Sequence, residues 1–369
     1  MPNNKRLNQA AKNKKDEFYT QLVDIENELR HYKEHFKGKT VLCNCDDPRV
    51  SNFFHYFAYN FKELGLKRLI TTCYKNQERD FFSLNNAEHA IWLEYNGETN
   101  GGRVPTVEEI GVHQFKGDGD FRSKECIELL EQADIVCTNP PFSLFREYVA
   151  QLMKYNKKFL VIGNINSVST KEIFPLILQG KLWLGQSIHS GDRKFLVPDN
   201  YPLDASGCGI DENGHRFIRV KGVRWFTNMD YKERYEDLVL TDNYKGNEDK
   251  YPIYDNYNAI NVGKSDEIPY DYDGIMGVPI TFLDKFNPKQ FEILGLTQFG
   301  CHDKVPDTKK YGDYKEYLRI ENKPTGASGA KTNENAVLIG KGTKKTYYLG
   351  PNNEIVHSEY KRILIKRIR

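Results

Sequence analysis

The chain has 369 residues, enough for two domains of ordinary size, and 53 Lys and Arg against 51 Asp and Glu leave a net charge of only +2. Any nucleic-acid surface is therefore local rather than a property of the whole chain. With 39% hydrophobic and 13% aromatic residues the sequence is too apolar for a disordered chain, yet no apolar run is long enough to span a bilayer.

Residues 1–15 are polar and read as a flexible tail without the apolar core of a secretory signal. Leu22, Ile25, Leu29, Tyr32 and Phe36 then recur at helical spacing until Gly38, predicting an amphipathic helix. Residues 39–45 form a short β-prone run closed by Asp46-Asp47-Pro48, a buried strand ending in a loop. Phe53, Phe54, Phe57 and Phe61 predict a helix over 51–64 with Gly65 as its cap, and 68–73 reads as the second strand. Residues 90–95 before Asn96-Gly97 predict an inserted hairpin.

A short strand then enters Gly117-Asp118-Gly119-Asp120, followed by a helix over 123–132, a strand over 134–138 and the loop Asn139-Pro140-Pro141-Phe142. Helix 144–155, strand 158–162, helix 171–178 and strand 181–184 continue the alternation, which argues for a doubly wound α/β domain with a parallel sheet covered on both faces. After residue 185 the pattern changes: Asp211-Glu212-Asn213-Gly214, with 217–220 and 223–226, predicts antiparallel pairing. Residues 231–273, dense in Tyr, Asp, Asn and Lys, read as long surface loops rather than core. The domain reading is a tail at 1–15, a catalytic domain at 16–230 and a recognition region at 231–369.

In an open parallel sheet, ligands bind beyond the carboxyl ends of the strands where strand order reverses, so the loops there matter most. Two consecutive prolines remove two backbone donors and fix two φ angles, making residues 139–142 stiff. The Asn139 side-chain oxygen and the Pro140 carbonyl can together accept both protons of an exocyclic amine, while Phe142 offers a surface for stacking a ring. A rigid helix-capping turn is the plainer alternative. Asp46 and Asp47, like Asp118 and Asp120, suit either ligand binding or ordinary turn and N-cap chemistry.

With these loops in view, the sequence resembles the S-adenosylmethionine-dependent amino methyltransferases, whose fourth motif is Asn/Asp-Pro-Pro-aromatic. It is more specifically similar to the EcoRI-type adenine-specific DNA methyltransferases through Phe18-Tyr19-Thr20-Gln21, residues 41–49, residues 138–143 and residues 277–295. The resemblance spans most of the chain. It implies a Rossmann-like methyltransferase sheet with a C-terminal target-recognition region, S-adenosyl-L-methionine as cofactor and double-stranded DNA as partner. It also implies N6 methylation of a flipped-out adenine, within a restriction-modification or phage-protection system whose cognate endonuclease is separately encoded.

Carried over residue by residue, Tyr19 and Thr20 would contact the methionine moiety, and Cys45, Asp46, Asp47 and Pro48 would hold its amino and carboxylate groups. Asp120-Phe121 matches the third motif, in which the acid accepts from the adenine amine of the cofactor and the next backbone N–H reaches the ring, and Asp118 in the same loop is counted with the cofactor-binding residues. Asn139, Pro140, Pro141 and Phe142 would hold the target base, Asn139 also bordering the cofactor. Residues 43–51 contain no glycine, so backbone approach to the cofactor is arranged differently from the usual glycine-rich loop. Strand two ends in Thr72-Cys73-Tyr74 without the acid that generally grips the ribose hydroxyls. The same Asn139 loop fits an RNA adenine or a protein glutamine, and the missing glycines and acid fit a catalytically silent nucleic-acid-binding module.

The seven cysteines, at irregular spacings, read as reduced thiols in a cytoplasmic protein. Cys43 and Cys45 lack a second ligand pair at zinc spacing, and His31 and His35, one helical turn apart, lack a third ligand, so no metal is expected. At the C-terminus, Lys361, Arg362, Lys366, Arg367 and Arg369 flank an apolar strand. They read equally as phosphate contacts or as charges protecting an edge strand. Residues 231–272 and 304–345 offer aromatics and cations suited to target recognition.

Overall fold

The computed structural model describes residues 20–45, 47–74, 90–189, 191–197, 203, 207–298 and 304–368. The expectations for residues 1–15, Phe18, Tyr19, Asp46 and Arg369 lie outside these residues. The chain divides into two compact units, Met1–Ser167 with Leu182–Tyr231, and Val168–Lys181 with Lys232–Arg369.

The first unit is mixed α/β, built on an eight-stranded sheet. Its strands are β1 (Thr40–Asn44), β2 (Arg68–Cys73), β3 (Ile91–Tyr95), β4 (His113–Gln114), β5 (Ile135–Thr138), β6 (Lys158–Asn164), β7 (Trp183–Leu184) and β11 (Val223–Thr227), in the order β4-β3-β2-β1-β5-β6-β11-β7. The four central strands β2, β1, β5 and β6 are parallel. Toward one edge β3 and β4 add antiparallel, and toward the other β11 runs antiparallel to both β6 and β7. The sheet is thus mixed rather than wholly parallel.

Two local readings change with it. Residues 91–95 pair with β2 and extend the main sheet, and they reach β4 through a connection containing a short helix, α3 (Val107–Ile110), not through a tight Asn96-Gly97 turn. The turn at 211–214 joins β9 (Gly209–Ile210) to β10 (Arg216–Lys221), which with β8 (Asp192–Leu196) forms a separate three-stranded sheet. Gly222, at φ +72°, turns the chain between β10 and β11 so that these strands enter different sheets instead of pairing with each other.

Helices α4 (Lys124–Gln132) and α5 (Phe145–Lys154) lie close to the predicted spans, whereas α1 (Leu22–Leu29) ends short of the expected Phe36 and α2 (Asn52–Tyr59) short of the expected Leu64. Ser51 and Ser123 cap α2 and α4 by accepting from the backbone N–H of Phe54 and Cys126. The first helix stops at Leu29, so His31 and His35 do not share a helix face, and His35 Nε2 instead meets Asp230 O at 2.7 Å. Val41, Cys43, Leu69, Ile135, Cys137, Leu160 and Ile162 share a core with Ile25 and Leu29 of α1 and the phenylalanines of α2. The opposite face is covered by α5, whose Phe145 ring lies so close over Gly163 that a Cβ there would overlap it.

The second unit contains α6 (Phe174–Leu178) and two sheets. One has four strands, β12 (Ile260–Asn261), β13 (Met276–Pro279), β14 (Phe291–Leu296) and β20 (Arg362–Arg367), ordered β12-β13-β20-β14. The other has five, β15 (Lys315–Leu318), β16 (Lys323–Ser328), β17 (Val337–Ile339), β18 (Thr346–Leu349) and β19 (Ile355–Ser358), ordered β16-β15-β18-β19-β17. Residues 171–178, assigned to the first domain from sequence, pack here, α6 lying against β14.

The tyrosine-rich stretch is surface loop only in its first half: none of residues 231–250 is buried, but the part from Tyr251 onward enters the core. Tyr251, Tyr254 and Tyr257 are buried, the last two in one core with Leu294, Leu338 and Leu364. Their hydroxyls are satisfied inside: Tyr254 donates to Asn261 Oδ1 at 2.8 Å and Tyr257 to Glu334 O at 2.7 Å. The C-terminal run is not an edge strand either, because β20 lies between β13 and β14 with Ile363, Leu364 and Ile365 fully buried.

Candidate active site

The carboxyl ends of β1 and β5 lie side by side where the order of the parallel strands reverses: from β1 the chain steps to β2 on one side, and β5 and β6 follow on the other. The loop at Cys45–Pro48 and the loop at Asn139–Phe142 leave these two ends. They are tied together by Asn44, whose backbone carbonyl accepts from Thr138 Oγ1 and whose side-chain oxygen accepts from the hydroxyl of Tyr148 on α5. All three residues are buried. Burial pushes the Tyr148 phenol well above its ordinary range, which keeps it a donor.

Asn139 and Pro140 are buried and Pro141 and Phe142 half-buried. Leu144 N donates to Pro141 O at 3.0 Å, closing the turn that leads into α5, and the Phe142 ring meets Phe195 edge-on at 6.3 Å.

After β1 the chain takes a glycine-like turn without glycine. Cys45 has φ +82°, in the left-handed region that β-carbon-bearing residues rarely adopt. Asp47, only 1% exposed, accepts from Arg49 N at 2.9 Å and from the Arg49 guanidinium at 3.2 Å, and its carbonyl accepts from Ser51 N at 2.8 Å. Burial raises its pKa, opposed by the N–H and charge of Arg49. Its carboxylate is thereby engaged in the turn leading to α2, with Pro48 buried beside it.

Thr20 reaches the same end of the sheet. Its carbonyl accepts from Asn52 Nδ2 at 2.7 Å in the first turn of α2, and its buried hydroxyl has no hydrogen-bond partner among the described residues.

The third loop is fixed by Gly119, at φ +76°, where a Cβ would stand 2.7 Å from Ala90 Cβ and 2.9 Å from the Cys73 carbonyl at the end of β2. Asp118 accepts from Asp120 N at 3.1 Å, a local turn bond. Asp120 is gripped by Arg122 through Nε at 2.8 Å and Nη2 at 2.7 Å, and Arg122 also reaches Glu147 at 3.0 Å. These carboxylates hold the Arg122 pKa above its ordinary value. Phe121 lies 5.1 Å from the Tyr148 ring, and its carbonyl accepts from Gln151 Nε2 at 2.9 Å. Tyr148 thus touches both the Asn44 side chain and the Phe121 ring.

The structure therefore gathers Thr20, Cys45, Asp47, Pro48, Asp118, Asp120, Phe121 and Asn139–Phe142 at one end of one sheet. Sequence reasoning placed Asn44 and Thr138 within matching motifs without giving them a role, and passed over Tyr148; an Asn ending an apolar strand was the available cue. Of the basic C-terminal residues, Arg362 is buried and donates to Asn261 Oδ1 at 3.1 Å and Glu359 at 3.0 Å, while Lys361 donates to Ser169 Oγ at 2.9 Å. These two hold the second unit together. Lys366 is exposed and Arg367 partly so. No helix among the described residues is long and apolar enough to cross a membrane.

Residues 6–368 match the model of a protein family described as adenine-specific methyltransferase EcoRI. The chain is 55% identical over 291 residues to the type II methyltransferase M.EcoRI of Escherichia coli, an alignment covering 79% of this chain and 89% of that protein. It is 41% identical to the type II methyltransferases M.MgeORF184P of Mycoplasma genitalium and M.MpnI of Mycoplasma pneumoniae, covering 78% of this chain in each case and 85% and 84% of those proteins. No solved structure matches.

Proposed function

Since this chain belongs to the EcoRI family of adenine-specific methyltransferases, we propose that the loop after β5 is where its adenine is held and that S-adenosyl-L-methionine is its methyl donor. The chain is an adenine-specific DNA methyltransferase. The observation that carries the site assignment is the junction of β1 and β5, where Asn44, Thr138 and Tyr148 fasten the Asn139–Phe142 loop beside the turn at Cys45.

The local residues fit the donor in two respects. The Thr20 hydroxyl has unused hydrogen-bonding capacity, and the Cys45 backbone supplies the conformation that a glycine loop otherwise gives. Asp47 is committed to Arg49, so it acts by shaping the turn. When bound, S-adenosyl-L-methionine supplies a methyl group on a sulfonium cation.

The chain's own contribution is positioning and electrostatics. The exocyclic nitrogen of adenine is a poor nucleophile because its lone pair is delocalised into the ring. Acceptance of its two N–H bonds by Asn139 Oδ1 and the Pro140 carbonyl favours a pyramidal nitrogen and stabilises the positive charge that develops there. Phe142 stacks on the base, which has to leave the duplex to reach the loop. The role of accepting from the donor's adenine amine falls to Asp120, whose carboxylate Arg122 already engages.

In this reading the first unit is a Rossmann-like doubly wound sheet and the second is the target-recognition region. The protein serves as the modifying partner of a separately encoded endonuclease in the cytoplasm. Sequencing with modified-base detection on DNA from an expressing host tests the function: N6-methyladenine at one recurrent motif is the expected result, and unmodified adenine throughout rejects it.

A further inference from the structure

Residues 304–369 contain 15 Lys and Arg against seven Asp and Glu, a net charge of +8 in a chain whose total is +2. Some of the described cations in this stretch are ion-paired and others, Lys315 and Lys366 among them, are not. Lys304, Lys309, Lys310 and Lys331 are ion-paired with Glu292, Asp255, Asp307 and Glu316. Arg319, Lys341, Lys344 and Lys345 form no ion pair among the described residues, and they gather at one end of the five-stranded sheet.

Two connections build that end: the four-residue turn 319–322 from β15 to β16, and the loop 340–345 from β17 to β18. Arg319 N donates to Lys345 O at 2.8 Å, Arg319 Nε to Lys344 O at 3.0 Å, and Lys341 Nζ to Asn322 Oδ1 at 3.3 Å. His357 anchors the longer loop from β19: its Nδ1 meets Gly340 O at 2.9 Å, and its ring lies where a Cβ on Gly342 would stand. Ile320, 89% exposed, projects from the turn, and Lys344 Nζ sits 4.3 Å from the ring centroid of exposed Tyr360. The acids nearby are Glu321, paired with Lys323 at 3.7 Å, and Glu359, bound to His357 and Arg362.

Like charges that outnumber the acids beside them raise the local potential, and a cross-braced backbone loses little freedom when a ligand docks. The cations stand on an open tip rather than around a pocket, which suits a row of phosphates. Resting on the reading that duplex DNA is the substrate, we infer that Arg319, Lys341, Lys344 and Lys345 form a contact for the sugar-phosphate backbone of that duplex, with Ile320 as its apolar toe. The C-terminal strand proposed from sequence for this role is mostly interior, and the tip takes its place.

The test is the salt dependence of binding to a duplex of about 30 random base pairs, by fluorescence anisotropy, for the full chain and for K341Q/K344Q/K345Q. Each lost phosphate contact lowers the slope of log K against log salt by about 0.9, so a fall of roughly 2 to 3 is expected. A second variant, K341E/K345E, leaves partly buried Lys344 in place and is expected to weaken binding at least about tenfold at low salt. Matching charge loss in K37Q/K62Q/K67Q, on exposed lysines of the first unit, is expected to leave the slope near wild type. Wild-type slope and affinity in both tip variants overturn the inference while methylation by the wild-type chain continues. Absence of methyl transfer to duplex DNA by the wild-type chain overturns the functional reading and the tip assignment together.

Discussion

The hydroxyl of Tyr148 donates to the side-chain oxygen of Asn44, so the helix that follows the Asn139 loop is fastened to the end of a strand 104 residues earlier in the chain. Thr138 makes a second bond to the same residue's carbonyl. Neither bond needs to touch the ligands to matter, because together they set the separation of the two loops proposed to hold donor and acceptor.

Removing that hydroxyl is expected to leave a buried acceptor unsatisfied. Tyr148→Phe should lower stability by about 1–3 kcal/mol, read from urea denaturation. It should also lower kcat more than it raises KM for DNA, since the altered quantity is loop spacing. Wild-type kcat in a destabilised Tyr148→Phe protein would show that the bond serves folding alone.

Asn139→Ala is expected to reduce single-turnover methyl transfer by roughly 10²-fold or more, the size seen when one preorganised polar group is removed from a developing charge. Donor affinity measured by calorimetry should stay within about threefold, because the loop's role is assigned to the base. Parallel loss of donor binding would move Asn139 to the donor's side of the site.

Cys45 at φ +82° predicts an inverted order of substitutions. Cys45→Gly should be more stable than Cys45→Ala by about 1 kcal/mol, and Cys45→Val less stable than both, since a β-carbon costs roughly that much in the left-handed region and branching adds to it. The ordinary order, with Ala above Gly, would mean that the turn relaxes at no cost.

His357 donates toward Glu359 at 3.2 Å, which raises its pKa above the usual imidazole value, while Lys344 opposes the shift and Arg362 shares the carboxylate. Because the folded pKa lies above the unfolded one, the stabilisation is complete below about pH 6.5 and fades as pH rises through the folded value. The Tm difference between wild type and Glu359→Gln should therefore be larger at pH 6 than at pH 9, with the Arg362 share surviving at both. An equal difference at both pH values would mean that His357 stays neutral.

What was legible in the sequence was what local chemistry writes down. Two prolines after an apolar strand announce a stiff loop whatever surrounds them, and Ser51 and Ser123 mark helix starts by their own hydroxyls. The partnership of β11 with β6 and β7 was not legible, because strand pairing across about 40 to 65 residues leaves no periodic trace and Gly222 looks like a hairpin turn. Residues 251–257 were misread because tyrosines scattered among Asp, Asn and Lys show little apolar periodicity, yet a phenol with an internal acceptor packs as core. Asn256 does likewise, donating to Asn335 O at 2.7 Å and accepting from Val337 N at 3.0 Å. Within the site, Cys45 shows that a missing glycine need not mean a missing glycine conformation.

Residues 168–181 leave the first unit and return to it, so the polypeptide passes between its two units three times: after Ser167, after Lys181 and after Tyr231. No single cut or genetic crossover separates them cleanly. A truncation at 231 would strand Ile173 and Phe174, both fully buried in the whole chain, on a strap without its sheet. Exchange of the second unit for another would have to replace two stretches at once, residues 168–181 and everything after Tyr231.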